Sequence, residues 1–218
     1  MADLHDATEE YLETILEIEE EGIIPIRARL VERLGLSAAA VSEQVNRLVD
    51  QGYAELLGDR TLRLTGSGRA LAVSVVRRHR LAERLLVDVI GLEWEKAHKE
   101  ADRWEHAISA EVEAKLVELL GDPATCPHGN PIPGSRHRPE HLDAPSLASV
   151  GPGPATIARV SERLELDDAA LTFVATAGLI PGSAVTVRGR DGDTVLVDTT
   201  AGAQRVPADL ADLLFVAA

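Results

Sequence analysis

Arg27-Ala-Arg-Leu-Val-Glu-Arg-Leu34, Gly35, Leu36 and Ser37-Ala-Ala-Ala-Val-Ser-Glu-Gln-Val-Asn-Arg-Leu-Val-Asp50 form the stretch on which the fold turns. The first segment predicts a short helix closed by Gly35. The second predicts a helix over 38–50, with Ser37 as its N-cap and Gly52 just beyond its end. Two extended runs, 53–57 and 61–65, flank Gly58-Asp59-Arg60 and predict a β-hairpin with a charged tip. Upstream, Leu4, Ala7, Tyr11, Ile15 and Ile18 make the apolar stripe of an amphipathic helix over 3–21 that stops at Gly22. Helix, short helix, turn, helix and hairpin is the order of a winged helix-turn-helix. A generic three-helix core with a surface hairpin would share this order. The small side chains of Ala38, Ala39 and Ala40 favour the winged helix, because they permit close approach to a DNA groove.

Candidate DNA contacts follow from that order. Ser42, Gln44, Asn46 and Arg47 on the third helix can read base edges or hold phosphates, and Ser37 at its start is grouped with them. Arg27 and Arg29 open the second helix, and Arg60 tips the wing. The charge distribution agrees. The 218-residue chain carries a formal net charge of −14, yet residues 23–80 hold ten arginines against five acids, a local balance of +5. Residues 1–22 hold nine acids and no Lys or Arg. A positive window inside an acidic chain suits a phosphate-facing surface.

Beyond the wing, Thr65-Gly-Ser-Gly68 opens a long helix to about residue 89, and a second is expected over 93–120. Their stripes (Leu81, Leu85, Leu86, Val89; Ala101, Ile108, Val112, Leu116) exceed what one helix pair needs and point to a dimer interface. The same helices carry a second signal. His98, Asp102, Glu105 and His106 lie at offsets 0, 4, 7 and 8, about a third of a helix's circumference at about 100° per residue. His79 and Glu83 add an i, i+4 pair. A solvated charged face would explain one such pair. Six of these residues within 28 positions favour a divalent cation held by imidazole and carboxylate. Trp104 reads as core or interface.

Residues 122–155, with Pro123, Pro127, Pro131, Pro133, Pro139, Pro145, Pro152 and Pro154, read as a linker. Within it His137 and His141 are expected in solvent. Val-rich runs at 184–188 and 194–198 around Asp191-Gly192 then predict a small β-barrel or sheet domain from about 155 to the end. No window has the ~18 uninterrupted apolar residues of a membrane span. The lone Cys126 excludes an internal disulfide, and with no apolar N-terminal run the expectation is a cytoplasmic protein.

These residues resemble the diphtheria toxin repressor/manganese transport regulator family of metal-dependent repressors. Arg-Ala-Arg-Leu30, His79-Arg-Leu-Ala-Glu83-Arg-Leu-Leu, Arg103-Trp-Glu-His106 and Gly129-Asn-Pro-Ile-Pro-Gly134 carry the resemblance, which is strong from residue 3 to about 134 and weaker but collinear through 155–218. It implies a mainly α chain with a small β part: a winged helix-turn-helix over 1–72, a dimerisation and metal-binding domain over 73–140, a Pro-rich linker over 141–154 and an SH3-like β-barrel over 155–218. It also implies a homodimer on double-stranded operator DNA, one or two dimers per operator, and two metal sites per chain.

The activating site implied by the resemblance matches Glu10, Asp102, Glu105 and His106. The ancillary site matches His79, Glu83 and His98, with Asp167 and Ala170 at the third-domain positions; alanine cannot ligate. Cys126 and His128 match a Cys-x-His that ligates the ancillary metal in some manganese-type members, the alternative being a free thiol and a solvated histidine. Iron-type members have methionine and cysteine where this chain has Glu10 and Asp102. Hard carboxylates in their place suit Mn²⁺, the weakest binder in the Irving–Williams order. The expectation is a Mn²⁺-activated repressor, with Fe²⁺ as the alternative ion. Two rival classes are a metallohydrolase using the His/Asp/Glu cluster, which lacks a separate nucleophile or base, and a regulator controlled by an organic ligand, whose operator binding would ignore chelators.

Overall fold

The computed structural model describes the backbone of residues 2–140 and 142–217, with side chains from Ala7 onward. The side chain of Leu4 and the whole of His141 therefore lie outside the described residues. The chain falls into two compact units, Met1–Arg78 and His79–Ala218.

The first unit contains α1 (Ala2–Glu20), α2 (Arg27–Leu34), α3 (Ala38–Asp50), β1 (Ala54–Leu56), β2 (Leu62–Leu64) and most of α4 (Gly66–Arg84). The α1 stripe buries Tyr11, Leu12, Ile15 and Ile18 against Leu30 of α2, Val41, Val45 and Leu48 of α3, Leu62 of β2, and Ala72 and Val76 of α4. Gly35 closes α2 in the left-handed conformation at φ 63°, and the Ser37 hydroxyl accepts from the Ala40 amide at 3.2 Å to start α3. Those two signals place α3 as expected. The hairpin pairs Ala54 with Leu64 and Leu56 with Leu62, burying one face. Its turn carries Arg60 at φ 72°, an uncommon conformation for a non-glycine residue. Gly68 has no room for a side chain: a Cβ there would lie 1.9 Å from the Tyr53 carbonyl oxygen.

The second unit begins inside α4, so the boundary expected at 72 falls within a helix. After Arg84 the chain winds as a π-turn over Leu85–Ile90 and is stopped by Gly91 at φ 79°. The single helix expected over 93–120 is divided. A 3₁₀ turn (Trp94–Lys96) leads into α5 (Ala97–Trp104), and α6 (Ala110–Leu120) restarts where the Ser109 hydroxyl accepts from the Val112 amide. Neither Gly nor Pro marks that break. Of the two stripes, Leu81, Leu86, Ala101, Ile108 and Leu116 enter a local core together with Ile132. Val89, Ile90, Val112 and Leu119 stay exposed on the single chain, the surplus that a dimer interface requires.

The Pro-rich segment is more ordered than a linker. Cys126, His128, Asn130 and Ile132 are buried, and the Cys126 amide donates to the Asn130 carbonyl at 2.8 Å. Further on, Leu147 is in the C-terminal core and its amide donates to Leu214 at 2.7 Å. Proline removes donors, but it does not stop a loop from packing.

The C-terminal part is an antiparallel sheet of order β6-β5-β4-β3-β7, built from β3 (Gly153–Val160), β4 (Ala184–Asp191), β5 (Thr194–Thr199), β6 (Gly202–Pro207) and β7 (Leu214–Ala217). Alternation brings Val185, Val187, Val195 and Val197 inward around Ile157, Leu171 and Val174. Three helices, α7 (Glu162–Glu165), α8 (Asp168–Thr176) and α9 (Ala208–Ala211), complete it. No described helix is long and apolar enough to cross a membrane.

Candidate metal centre

Helix α4 presents His79 and Glu83 one turn apart, both buried, because positions i and i+4 share a helix face. The α5 helix brings His98 to them. His79 Nε2 lies 3.1 Å from His98 Nδ1 and 3.4 Å from Glu83 Oε1, and His98 Nδ1 lies 3.7 Å from the same oxygen. The other ring nitrogen, His79 Nδ1, meets Glu105 Oε2 at 2.6 Å. Asp102 stands at the edge, 52% exposed, its Oδ1 3.5 Å from His79 Nδ1 and 3.7 Å from His98 Nε2. His106 Nε2 is 3.3 Å from Glu105 Oε1. His106 sits in the turn after α5, not on one continuous helix as its spacing suggested.

The Cys126–Gly129 turn brings a second set to the same place. His128 Nδ1 lies 2.9 Å from Glu83 Oε1, and its ring tilts against Trp94 with centroids 4.5 Å apart. Gly129 is required here: at φ 89°, a Cβ would lie 2.3 Å from the Ala158 carbonyl oxygen of β3. Both Cys126 and His128 are therefore inside the cluster, and the solvated-linker alternative does not describe them.

The third contribution departs from expectation. Asp167 is exposed and caps α8, its Oδ1 accepting from the Ala169 and Ala170 amides at 3.0 Å each. Among the described residues it belongs to none of the clustered donor groups. Its neighbour Asp168 pairs with Lys99 at the surface. The buried carboxylates from this part are Glu162 and Glu165 of α7, which sequence reasoning missed. Arg80, itself 1% exposed, donates to Glu162 Oε1 at 2.8 Å and to the Pro131 carbonyl at 2.5 Å. Asn130 donates to Glu165 Oε1 at 2.8 Å. Glu165 Oε2 faces His128 Nδ1 at 2.9 Å and His98 Nδ1 at 3.3 Å, but no well-directed hydrogen bond satisfies it. A buried, unsatisfied carboxylate oxygen among imidazoles fits a cation ligand.

The imidazoles and carboxylates of the cluster shift one another's titration. Burial works against charged rings at His79, His98 and His128. Neighbouring carboxylates (Glu83 and Glu105; Glu165, Glu83 and Asp102; Glu165 and Glu83) outweigh it and hold all three well above the ordinary histidine value. Burial would raise Glu83, but His128 and His79 hold it well below the usual carboxylate range. Burial, with Glu83 nearby, pushes the Cys126 thiol up to about 12. Ligand imidazoles must be neutral to bind a cation, so protons compete with metal here. Titrating metal should release protons, and apparent affinity should weaken as pH falls through the raised imidazole values. Calorimetry in buffers of different ionisation enthalpy measures this; pH-independent binding would contradict it.

Among the candidate DNA contacts, Arg29, Asn46, Arg47 and Arg60 are exposed, and Arg27 donates to Asn46 Oδ1 at 2.9 Å. Ser42 is half-buried. Gln44 is half-buried too and turns towards Thr8 Oγ1 at 3.4 Å, and Ser37 is engaged as the α3 cap. Glu10 is exposed on α1.

Comparison with known proteins matches residues 3–62 to the iron dependent repressor N-terminal DNA binding domain. Residues 65–134 match the iron dependent repressor metal binding and dimerisation domain. The chain is 45% identical over 207 residues to the iron-dependent repressor IdeR of Mycobacterium tuberculosis, covering 90% of each. It is 43% identical over 204 residues to the diphtheria toxin repressor of Corynebacterium diphtheriae, again 90% of each. A solved manganese-dependent transcriptional repressor in complex with manganese superposes with a TM-score of 0.83 at 32% identity, over 97% of this chain and 99% of that one.

Proposed function

The chain belongs to the iron-dependent repressor family, whose members are metal-dependent transcriptional repressors and not enzymes, and we propose that this one is activated by Mn²⁺ to bind a palindromic operator as a homodimer. The observation that carries the choice of ion is the pair of carboxylates, Glu10 and Asp102, where iron-type relatives place methionine and cysteine. Neither offers a soft donor, so metals later in the series lose their usual advantage.

Glu10, Asp102, Glu105 and His106 form the activating ligand set in this reading. His79, Glu83 and His98 form the ancillary set, completed by Cys126, His128 and Glu165. A bound divalent cation supplies the positive charge that lets the activating carboxylates converge. Glu10 is the only member of its set on the first helix, so its engagement reports metal to the winged helix that carries Arg27, Arg29, Arg47 and Arg60. With no ion, Glu10, Asp102 and Glu105 repel one another, and the orientation that suits two successive major grooves is not held.

Fe²⁺ is the second reading, favoured by the iron-dependent name of the relative at 45% identity. Anaerobic operator binding across Mn²⁺ and Fe²⁺ separates the two. The wild type should respond to Mn²⁺ at concentrations equal to or below those of Fe²⁺. The double variant Glu10→Met, Asp102→Cys should reverse that order, with apparent Mn²⁺ affinity falling about tenfold, or about 1.4 kcal/mol. An unchanged Mn²⁺-to-Fe²⁺ ratio would place selectivity elsewhere.

A further inference from the structure

We infer that Glu43, at the centre of the exposed face of α3, reads a cytosine amine in the operator's major groove and sets base choice there. The inference rests on the DNA-binding reading above and deepens it. The α3 helix buries Val41, Val45 and Leu48 and exposes Ala39, Ala40, Glu43, Asn46 and Arg47. At about 100° per residue, Glu43 lies roughly 160° from both Val41 and Val45, directly away from the core. Ala39 and Ala40 flank it one turn earlier, so no long side chain of that turn screens it. Its neighbours are engaged in other ways. Gln44 is half-buried, and its Nε2 donates to Thr8 Oγ1 of α1 at 3.4 Å. Asn46 Oδ1 accepts from Arg27, which leaves the Asn46 amide as a donor. Glu43 is the acceptor on this face.

A carboxylate is a poor means of gripping the DNA backbone, because phosphates repel it. Two acids, Glu43 and Asp50, against a single base, Arg47, make α3 net negative. The arginines that suit phosphates, Arg27, Arg29 and Arg60, lie on α2 and the wing. Affinity for the backbone therefore comes from the elements around α3, and a carboxylate at its centre adds discrimination. An ionised carboxylate only accepts hydrogen bonds. In the major groove the donors are the cytosine N4 and adenine N6 amines, whereas guanine and thymine offer acceptors there. Adenine also sets its N7 acceptor beside the amine, where it repels the second carboxylate oxygen, so cytosine is the better partner. Arg47 completes the arrangement. Its Nη2 donates to Glu43 Oε1 at 2.5 Å from one turn along the helix. That contact steadies the side chain, offsets its charge and leaves Oε2 for the base. A solvated i, i+4 ion pair would have the same geometry in the free protein. The position opposite the core of the winged helix's third helix is what assigns this pair to base reading.

The test selects operators from a randomised duplex library with the full chain, in saturating Mn²⁺ and separately in anaerobic Fe²⁺, for the wild type, Glu43→Ala and Glu43→Gln. The wild type should enrich a cytosine at one position of each half-site. Replacing that cytosine with 2-pyrimidinone, which lacks the N4 amine, should cost the wild type about tenfold in affinity. Glu43→Ala should bind the two duplexes within about twofold of each other, having no acceptor to lose. Glu43→Gln should move the preference at that position to adenine, whose N6 and N7 match an amide. Both variants should bind unrelated DNA more tightly, since a charge that phosphates repel is gone. A tenfold loss on 2-pyrimidinone that persists in Glu43→Ala, or base preferences unchanged in both variants, would overturn the assignment and leave the repressor reading standing. A wild-type operator in which no cytosine amine matters would overturn it without recourse to any variant. Failure of the wild type to enrich any sequence with either ion would defeat the repressor reading, and this assignment with it.

Discussion

Replacing Arg80 with Ala is expected to destabilise the C-terminal unit by about 3–5 kcal/mol, the cost of leaving a buried charge without its partner. Arg80 is 1% exposed, and its guanidinium bonds Glu162 and the Pro131 carbonyl. It thereby ties α4, the Gly129–Gly134 loop and α7 into one polar core. Burial raises the pKa of Glu162, and it is Arg80 that holds it below the usual carboxylate range. Without the guanidinium, Glu162 must bury an uncompensated charge or take up a proton, and the Pro131 carbonyl loses a donor. The paired variant Arg80→Met, Glu162→Leu should recover most of the loss, because it removes both charges and keeps the volume. Denaturant unfolding of the metal-free protein measures both. A loss below about 1 kcal/mol for Arg80→Ala would show that the ion pair does not secure this core.

Glu10→Ala is expected to lower metal-dependent operator affinity by roughly 100-fold, within the range of ordinary allosteric couplings. Folding should change by no more than about 0.5 kcal/mol. The asymmetry follows from position. Glu10 is exposed on α1, while Leu12, Ile15 and Ile18 on the same helix fill the winged-helix core. Glu10 is not part of that core, and its removal deletes the activating ligand proposed for the DNA-binding unit. Operator titration in saturating Mn²⁺, alongside thermal unfolding, separates the two effects. Equal losses of stability and affinity would mean that Glu10 serves the fold and not the switch.

The winged helix was legible because its signals are local: Gly35, the Ser37 cap and an alternating hairpin each act within a few residues. The histidine cluster was half legible. His79 and Glu83 share a helix spacing that a sequence displays, as do His98 and Asp102, and the structure brings α4 and α5 together. Glu162 and Glu165 do not announce themselves, since a four-residue helix has no periodicity to read. Their burial depends on Arg80 and Asn130, far away in sequence. The family resemblance pointed instead to Asp167, which is occupied in capping α8. The break between α5 and α6 was hidden for a related reason: it is marked by the serine N-cap that starts α6, and serine also occurs inside apparent helical patterns.

In the proposed function, metal and operator bind through one linked equilibrium. Linkage requires reciprocity: the factor by which Mn²⁺ raises operator affinity must equal the factor by which operator raises Mn²⁺ affinity. Mn²⁺ affinity of the full-length dimer, measured with and without saturating operator DNA at fixed pH and salt, tests this directly. Mn²⁺ should bind more tightly on operator, by the same factor that Mn²⁺ confers on DNA binding, and Glu10→Ala should lose that gain. Mn²⁺ affinity that does not change when operator is added would contradict it.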